Sequence, residues 1–143
     1  MASDIRRIEY FRTTVKDEPG AAFRVLSALR SQGVNLLAFT AIPIAVNETQ
    51  LILFPDSSTS FSRAASTIRM PADGPHAALL VQGDDELGAI AEIHGVLADD
   101  GINVVGATGV ADGRGAFGYV IHLRETEVDR AAHLLRQAFA ISA

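Results

Sequence analysis

Two short stretches of the chain place together residue types suited to holding an α-amino acid. Asp17-Glu18-Pro19-Gly20 precedes one apolar helical stripe and Asp85-Glu86-Leu87-Gly88 precedes another, while Asn35 and Asn103 open the segment that follows each stripe. A loop running into a helix leaves unbonded backbone N–H groups at the positive end of the helix dipole, where a ligand carboxylate is stabilised. Gly20 and Gly88, lacking side chains, allow close approach to the main chain. Asp17 and Asp85 can accept hydrogen bonds from an ammonium group, and the amides of Asn35 and Asn103 offer both a donor and an acceptor. The same residues also serve as ordinary punctuation, since Asp before Pro-Gly is a common helix entry and Asn after Gly a common strand start.

Other chemistry finds little support. The four histidines, His76, His94, His122 and His133, have no metal-ligand spacing, so no metal and no cofactor is expected. Cysteine is absent, which excludes disulfides, thiolate catalysis and cysteine zinc sites. Gly113, Gly115 and Gly118 imitate a phosphate loop but fall in a predicted hairpin rather than between a strand and a helix. The carboxylates of Asp84-Asp85-Glu86 and Asp99-Asp100 read as solvated charges, and no serine or threonine has an evident base. The net charge of -5, with Lys16 as the only lysine and the arginines scattered, argues against a nucleic-acid surface. No signal-peptide pattern opens the chain, and no window approaches the ~20 apolar residues that span a bilayer. A soluble cytoplasmic protein with no membrane contact is expected.

The elements that must position these residues occur twice. A shift of 68 positions, without a gap, lays Asp17, Glu18, Gly20, Ala21, Leu29, Gly33, Asn35 and Thr40 on identical residues from Asp85 to Thr108. Val25, Val34, Leu36 and Ile42 fall on Ile93, Ile102, Val104 and Val110, and Leu51-Ile52-Leu53 on Tyr119-Val120-Ile121. Such a register indicates an internal duplication. Each copy begins with a strand, around residues 8–15 and 78–81. A helix follows, with stripes Ala22, Val25, Leu26, Leu29 and Ile90, Ile93, Leu97, entered through Asp17 or Asp85 and stopped by Gly33 or Gly101. A hairpin comes next, Val34–Ile44 with Gln50–Phe54 turning at Asn47-Glu48, and residues 101–110 with Phe117–Leu123 turning at Asp112-Gly113-Arg114-Gly115. Second helices are expected over Phe61–Ile68 and through Val128, Ala131, Leu135, Ala138 and Phe139. Met70 to Pro75 reads as a linker. A last strand is expected at Thr67–Met70 and at Ala140–Ala143. Strand, helix, hairpin, helix and strand form the split βαβ, ferredoxin-like series.

A strand, then Asp-x-Pro-Gly (Asp17 to Gly20), an apolar helix, then Gly33-Val34-Asn35, resembles the ACT domain. The resemblance spans nearly the whole chain in two copies and points to stand-alone tandem ACT proteins. It implies an α+β fold of two ferredoxin-like βαββαβ domains with antiparallel sheets, paired side by side, over residues 1–70 and 71–143. It implies sensing of an amino acid and regulation of an enzyme or transcription factor, without catalysis. Carried over from the family, Asp17 with Asn35 and Asp85 with Asn103 contact the effector, at an interface between ACT domains. The second copy departs from the pattern, with Leu87 for the proline, Ala91 opposite Phe23 and His94 opposite Leu26, so unequal sites are expected. Exposed sheet edges point to a homodimer. Two alternatives stand beside this reading: a ligand-independent protein–protein interaction module, and a small enzyme working through dispersed residues such as His94 and Asp85.

Overall fold

The computed structural model describes residues 3–84 and 88–139. In chain order it contains β1 (Ser3–Lys16), α1 (Ala21–Ser31), β2 (Leu36–Ala45), β3 (Glu48–Pro55), α2 (Ser58–Thr67), β4 (Asp73–Asp84), α3 (Ala89–Asp99), β5 (Gly106–Ala111), β6 (Ala116–His122) and α4 (Glu125–Phe139). Contacts divide the chain into two compact units, Glu9–His76, and Met1–Ile8 with Ala77–Ala143. None of the described helices is long and apolar enough to cross a membrane.

In the Glu9–His76 unit the strands lie in the order β2-β3-β1, all antiparallel. Phe11 faces Leu53 and Thr13 faces Leu51 across the β1–β3 ladder. Alternation along the strand sends Leu51 and Leu53 to the helix side, where Leu29 of α1 and Phe61, Ala64 and Ala65 of α2 complete the core. Phe61 and Phe11 stack at 4.2 Å. The expected α1 stripe is present, with Leu29 fully buried and Ala22, Val25 and Leu26 packed on the same cluster. Ser57 caps α2 by accepting a hydrogen bond from the Ser60 N–H. Pro43 sits in β2, which pairs only with β3 within this unit, so its missing N–H leaves no ladder bond broken on the free side.

The other unit repeats the series with β4-β6-β5 and a larger core. Every second residue of β6, from Phe117 through Tyr119 to Ile121, is buried against Ile93 and Leu97 of α3 and Val128, Ala131 and Leu135 of α4. Two stripe positions differ from expectation. Ile90 is 43% exposed, its place in the core taken by Ala89, and Ala138 is exposed where Ala132 is buried. The rest of each stripe is as expected, with Ile93 and Leu97 buried in α3 and Val128, Ala131, Leu135 and Phe139 buried in α4.

Both first helices end in the same way. Gly33 and Gly101 have φ of 79° and 72°. The N–H of Gly33 bonds to Arg30 O and that of Val34 to Leu29 O, and Gly101 and Ile102 repeat the pattern on Ala98 and Leu97. This double bond pattern is the Schellman motif, and it requires a left-handed residue at its centre. A Cβ on Gly101 would meet nothing within 4 Å, so only the backbone conformation opposes a side chain there. Gly101→Ala is therefore expected to cost about 1–2 kcal/mol in urea unfolding, the ordinary penalty of the left-handed region for an L-residue. A loss under 0.3 kcal/mol, on the order of measurement error, would contradict this.

The closing strands differ from expectation. Thr67 is the last residue of α2, Ile68 caps it and Arg69 is left-handed at φ 57°, so Thr67–Met70 is a helix end rather than a strand. The Ile68 and Met70 N–H groups turn back to Ala64 O and Ala65 O, which leaves no extended backbone to pair. The supposed linker becomes a strand from Asp73 onward, including Pro75, which is tolerated near a strand start. Its first residues, Asp73–His76, belong with Glu9–His76, and the Thr13 hydroxyl donates to Pro71 O at 2.7 Å beside them. In the other unit the first residues of β1 take the corresponding part. Ile5 is buried in that core, and Arg136 donates to Ile5 O at 2.9 Å. Ala140–Ala143 lie outside the described residues.

Candidate functional site

The first helix of each unit starts without a side-chain cap. Gly20 and Gly88 are the N-cap residues, left-handed at φ 86° and 82°. Asp17 does not cap α1. The left-handed glycine turns the chain between them, and the Asp17 main chain is engaged elsewhere, its N–H donating to Asn47 O at 2.9 Å. That bond ties the loop to the β2–β3 turn, where Asn47 is itself left-handed at φ 64°. Glu18 turns toward the helix, its carboxylate 2.9 Å from Arg24 Nη2. Asp17, Glu18, Pro19 and Gly20 are all exposed, so the Asp17 carboxylate and the turn are open to a ligand. Asn35 is exposed too, and its carbonyl accepts from the Asp56 N–H. Loop and asparagine stand at opposite ends of α1, whose 11 residues span roughly 16 Å.

In the Ala77–Ala143 part, α3 and β5 border two concavities. One, of about 230 Å³, is lined by Gly88, Ala89, Ile90 and Ala91 at the helix start and by Gly109, Val110, Ala111 and Phe117. The other, of about 400 Å³, holds Asn103 together with His94, Ala98, Ile102 and the chain from Val104 to Ala107. Gly88 and Asn103 are thus lodged in different concavities. Asp85, Glu86 and Leu87 lie outside the described residues. The glycines at 113 and 115 form a turn, as expected. Asp112 Oδ1 accepts from the N–H groups of Arg114 and Ala116, which closes the β5–β6 hairpin.

One charged cluster in the Glu9–His76 unit escaped the sequence reading, because its central residue, Asp73, falls in the supposed linker. Asp73 Oδ2 lies 2.9 Å from His76 Nε2 and 3.5 Å from Arg12 Nη2. The hydrogen bond from His76, with the charge of His76 and Arg12, holds the Asp73 carboxyl below its ordinary range, against a smaller opposing effect of burial. Among the described residues no group of three or more His, Cys, Asp or Glu side chains is placed to hold a metal ion.

No protein-family model matches the chain, and no curated protein matches it. Solved structures do. Protein BT0572 from Bacteroides thetaiotaomicron superimposes with a TM-score of 0.80 at 15% identity, covering 94% of this chain and 90% of that one. The ligand-free regulatory subunit of aspartate kinase from Thermus thermophilus gives 0.68 at 15% identity, covering 97% and 98%. The fold is the ACT fold, present twice. Aspartate kinase from Synechocystis gives 0.62 at 18% identity, with 96% of this chain matching 26% of that one, so the same tandem also occurs as part of a larger protein.

The two ACT units are not equal in chemistry. In the second, His94 Nε2 lies 2.6 Å from the Tyr119 hydroxyl, and the rings are 5.8 Å apart. The sequence marks His94 as a departure from Leu26 and as a dispersed candidate for catalysis, but not as a partner of Tyr119. The shift of 68 that set Tyr119 on Leu51 held the missing signal, a second departure in the same contact.

Proposed function

We propose that this protein is a non-catalytic regulator that binds a small metabolite, an α-amino acid, through the loops that open α1 and α3. The observation that carries the reading is a repeated one. In each ACT unit an uncapped helix begins at a left-handed glycine, and in the first unit an exposed aspartate stands three residues before it. In the first unit the uncapped N–H groups suit the ligand carboxylate and the Asp17 carboxylate suits its ammonium. The site residues proposed are Asp17, Glu18, Pro19, Gly20 and Asn35, with Asp85, Glu86, Leu87, Gly88 and Asn103 in the second copy. The regulatory role draws support from the likeness to a regulatory subunit of aspartate kinase, and the regulated target is an enzyme or a transcription factor. We place the protein in the cytoplasm. Calorimetric titration of the full chain with the twenty amino acids tests the reading. Binding of at least one at or below millimolar concentration is expected, and silence from all twenty would remove the proposal.

A second reading, an interaction module that needs no ligand, is favoured by the apolar side chains that β2 exposes. Phe39, Ile42 and Ile44 are 38–50% exposed on a strand that pairs on one side only within its unit. Free strand edges bearing apolar side chains invite further pairing. A homodimer is the expected result in either reading, measured by light scattering at high micromolar concentration, and a monomer there would count against it.

A further inference from the structure

The two ACT units differ at one built feature, and the difference is concerted. On the shift of 68 that aligns the copies, three positions change together: Leu26 becomes His94, Leu51 becomes Tyr119 and Ala41 becomes Gly109. The structure explains why they travel as a set. Ala41 faces Leu51 across β2–β3, and Gly109 faces Tyr119 across β5–β6, at the same place in the register. In the first unit Leu51 is fully buried and Leu26 packs on its cluster, an ordinary apolar contact between helix and sheet. In the second, the larger tyrosine ring lies over Gly109, where a Cβ would come within 2.7 Å of the ring. Removal of a methyl from β5 thus makes room for the ring, and its hydroxyl lies 2.6 Å from His94 Nε2 on α3.

A hydrogen-bonded His–Tyr pair at a position that leucines fill in the other copy adds little to stability. Replacing both partners of such a pair with apolar groups is commonly neutral or favourable. What the pair does provide is a fixed imidazole on the wall of the 400 Å³ concavity that also holds Asn103. That volume suits a molecule of several heavy atoms rather than a bare ion.

We propose that His94, held by Tyr119 over Gly109, is a specificity-determining ligand residue of the second ACT unit, and that with Asn103 it binds the carboxylate of a small metabolite. The phenol is the better donor of the pair, and burial, which raises the Tyr119 pKa, keeps it protonated. With the tyrosine hydroxyl donating to Nε2, the ring hydrogen resides on Nδ1, to which no described group is bonded. A ring anchored through Nε2 therefore offers an N–H donor, which selects an acceptor, and the Asn103 amide can supply a second. The protein's first unit, with leucines at both positions, has no such donor, so the two units hold a ligand carboxylate with different donors.

The assignment rests on the amino-acid reading above, and the experiment separates the two. The triple substitution His94→Leu, Tyr119→Leu, Gly109→Ala installs the first unit's own residues, and its fold is checked by circular dichroism and melting temperature. Wild-type and variant chains are titrated with each of the twenty amino acids and, for those that bind, with the corresponding methyl ester. Ring 15N resonances of His94, identified by their loss in the variant, are followed by NMR. At least one amino acid should move those resonances, bind the folded variant at least tenfold more weakly, and lose its effect on the ring when esterified. If an amino acid binds but leaves the His94 ring unmoved, or binds the folded variant equally well, the assignment of His94 is wrong while the sensor reading stands. An ester that moves the ring as the free acid does overturns the carboxylate. Failure of all twenty to bind overturns both.

Discussion

Phe61→Ala is expected to destabilise the Glu9–His76 unit by about 3–5 kcal/mol, the usual loss when a fully buried phenylalanine is truncated. Phe61 has no exposed surface, and its ring stacks on Phe11 at 4.2 Å, joining α2 to β1. The size of the effect follows from how small this core is. Apart from Phe61 its fully enclosed large side chains are few, Leu29, Leu51 and Leu53 chief among them, and α2 contributes only two alanines besides. Truncation therefore leaves a cavity that neighbouring alanines cannot fill, and α2 keeps little that holds it to the sheet. Urea unfolding of the full chain, followed by circular dichroism, measures the loss. A change below about 1 kcal/mol would mean that the core collapses onto the space and that α2 is held by something other than Phe61.

Asp17→Ala is expected to weaken binding of an amino acid identified by titration by about 1.5–3 kcal/mol, roughly ten- to a hundredfold, the range for losing one charge-assisted hydrogen bond. Stability should hardly change. The Asp17 side chain is exposed and caps nothing, while the bond its N–H makes to Asn47 O is a main-chain bond that alanine preserves. A surface substitution of this kind usually stays within about 0.5 kcal/mol. The pairing of a large binding loss with an unchanged urea midpoint separates a ligand contact from a structural role. Unchanged affinity would remove Asp17 from the site, and a large fall in stability would return it to the role of a turn residue.

Much of this molecule was legible in one dimension because the relevant physics is local. Gly33 and Gly101 stop their helices through hydrogen bonds to residues three and five positions back, so the signal and its cause lie within one turn. Asp112 to Gly115 makes its hairpin with its own carboxylate and two left-handed glycines. The apolar stripe of α1 and the alternation of β6 follow from helical and strand periods, and the shift of 68 doubled every such signal. The Asp17–Gly20 loop was visible as a candidate for the same reason, since its exposure and its position before a helix are consequences of neighbouring residues.

What the tertiary structure decided involves partners far apart in the chain. The closing strand of the Glu9–His76 unit begins at Asp73 and includes Gly74 and Pro75, residues that argue against a strand locally, and β1, some 60 residues earlier, holds the chain just before it through the bond from Thr13 to Pro71 O. Ile5 joins the core of Leu79 and Ile121 across more than 70 residues, which no periodic pattern near Ile5 could announce. Asp73, read as part of a linker, has its pKa lowered chiefly by the hydrogen bond from His76 on that same strand, and further by the charge of Arg12 on β1. His94, Gly109 and Tyr119 are each unexceptional in their own stretch of sequence. Only the register of β5 on β6 and the packing of α3 bring the ring over the missing methyl and the hydroxyl to the imidazole, because side-chain chemistry depends on distance in space and local sequence specifies distance only along the chain.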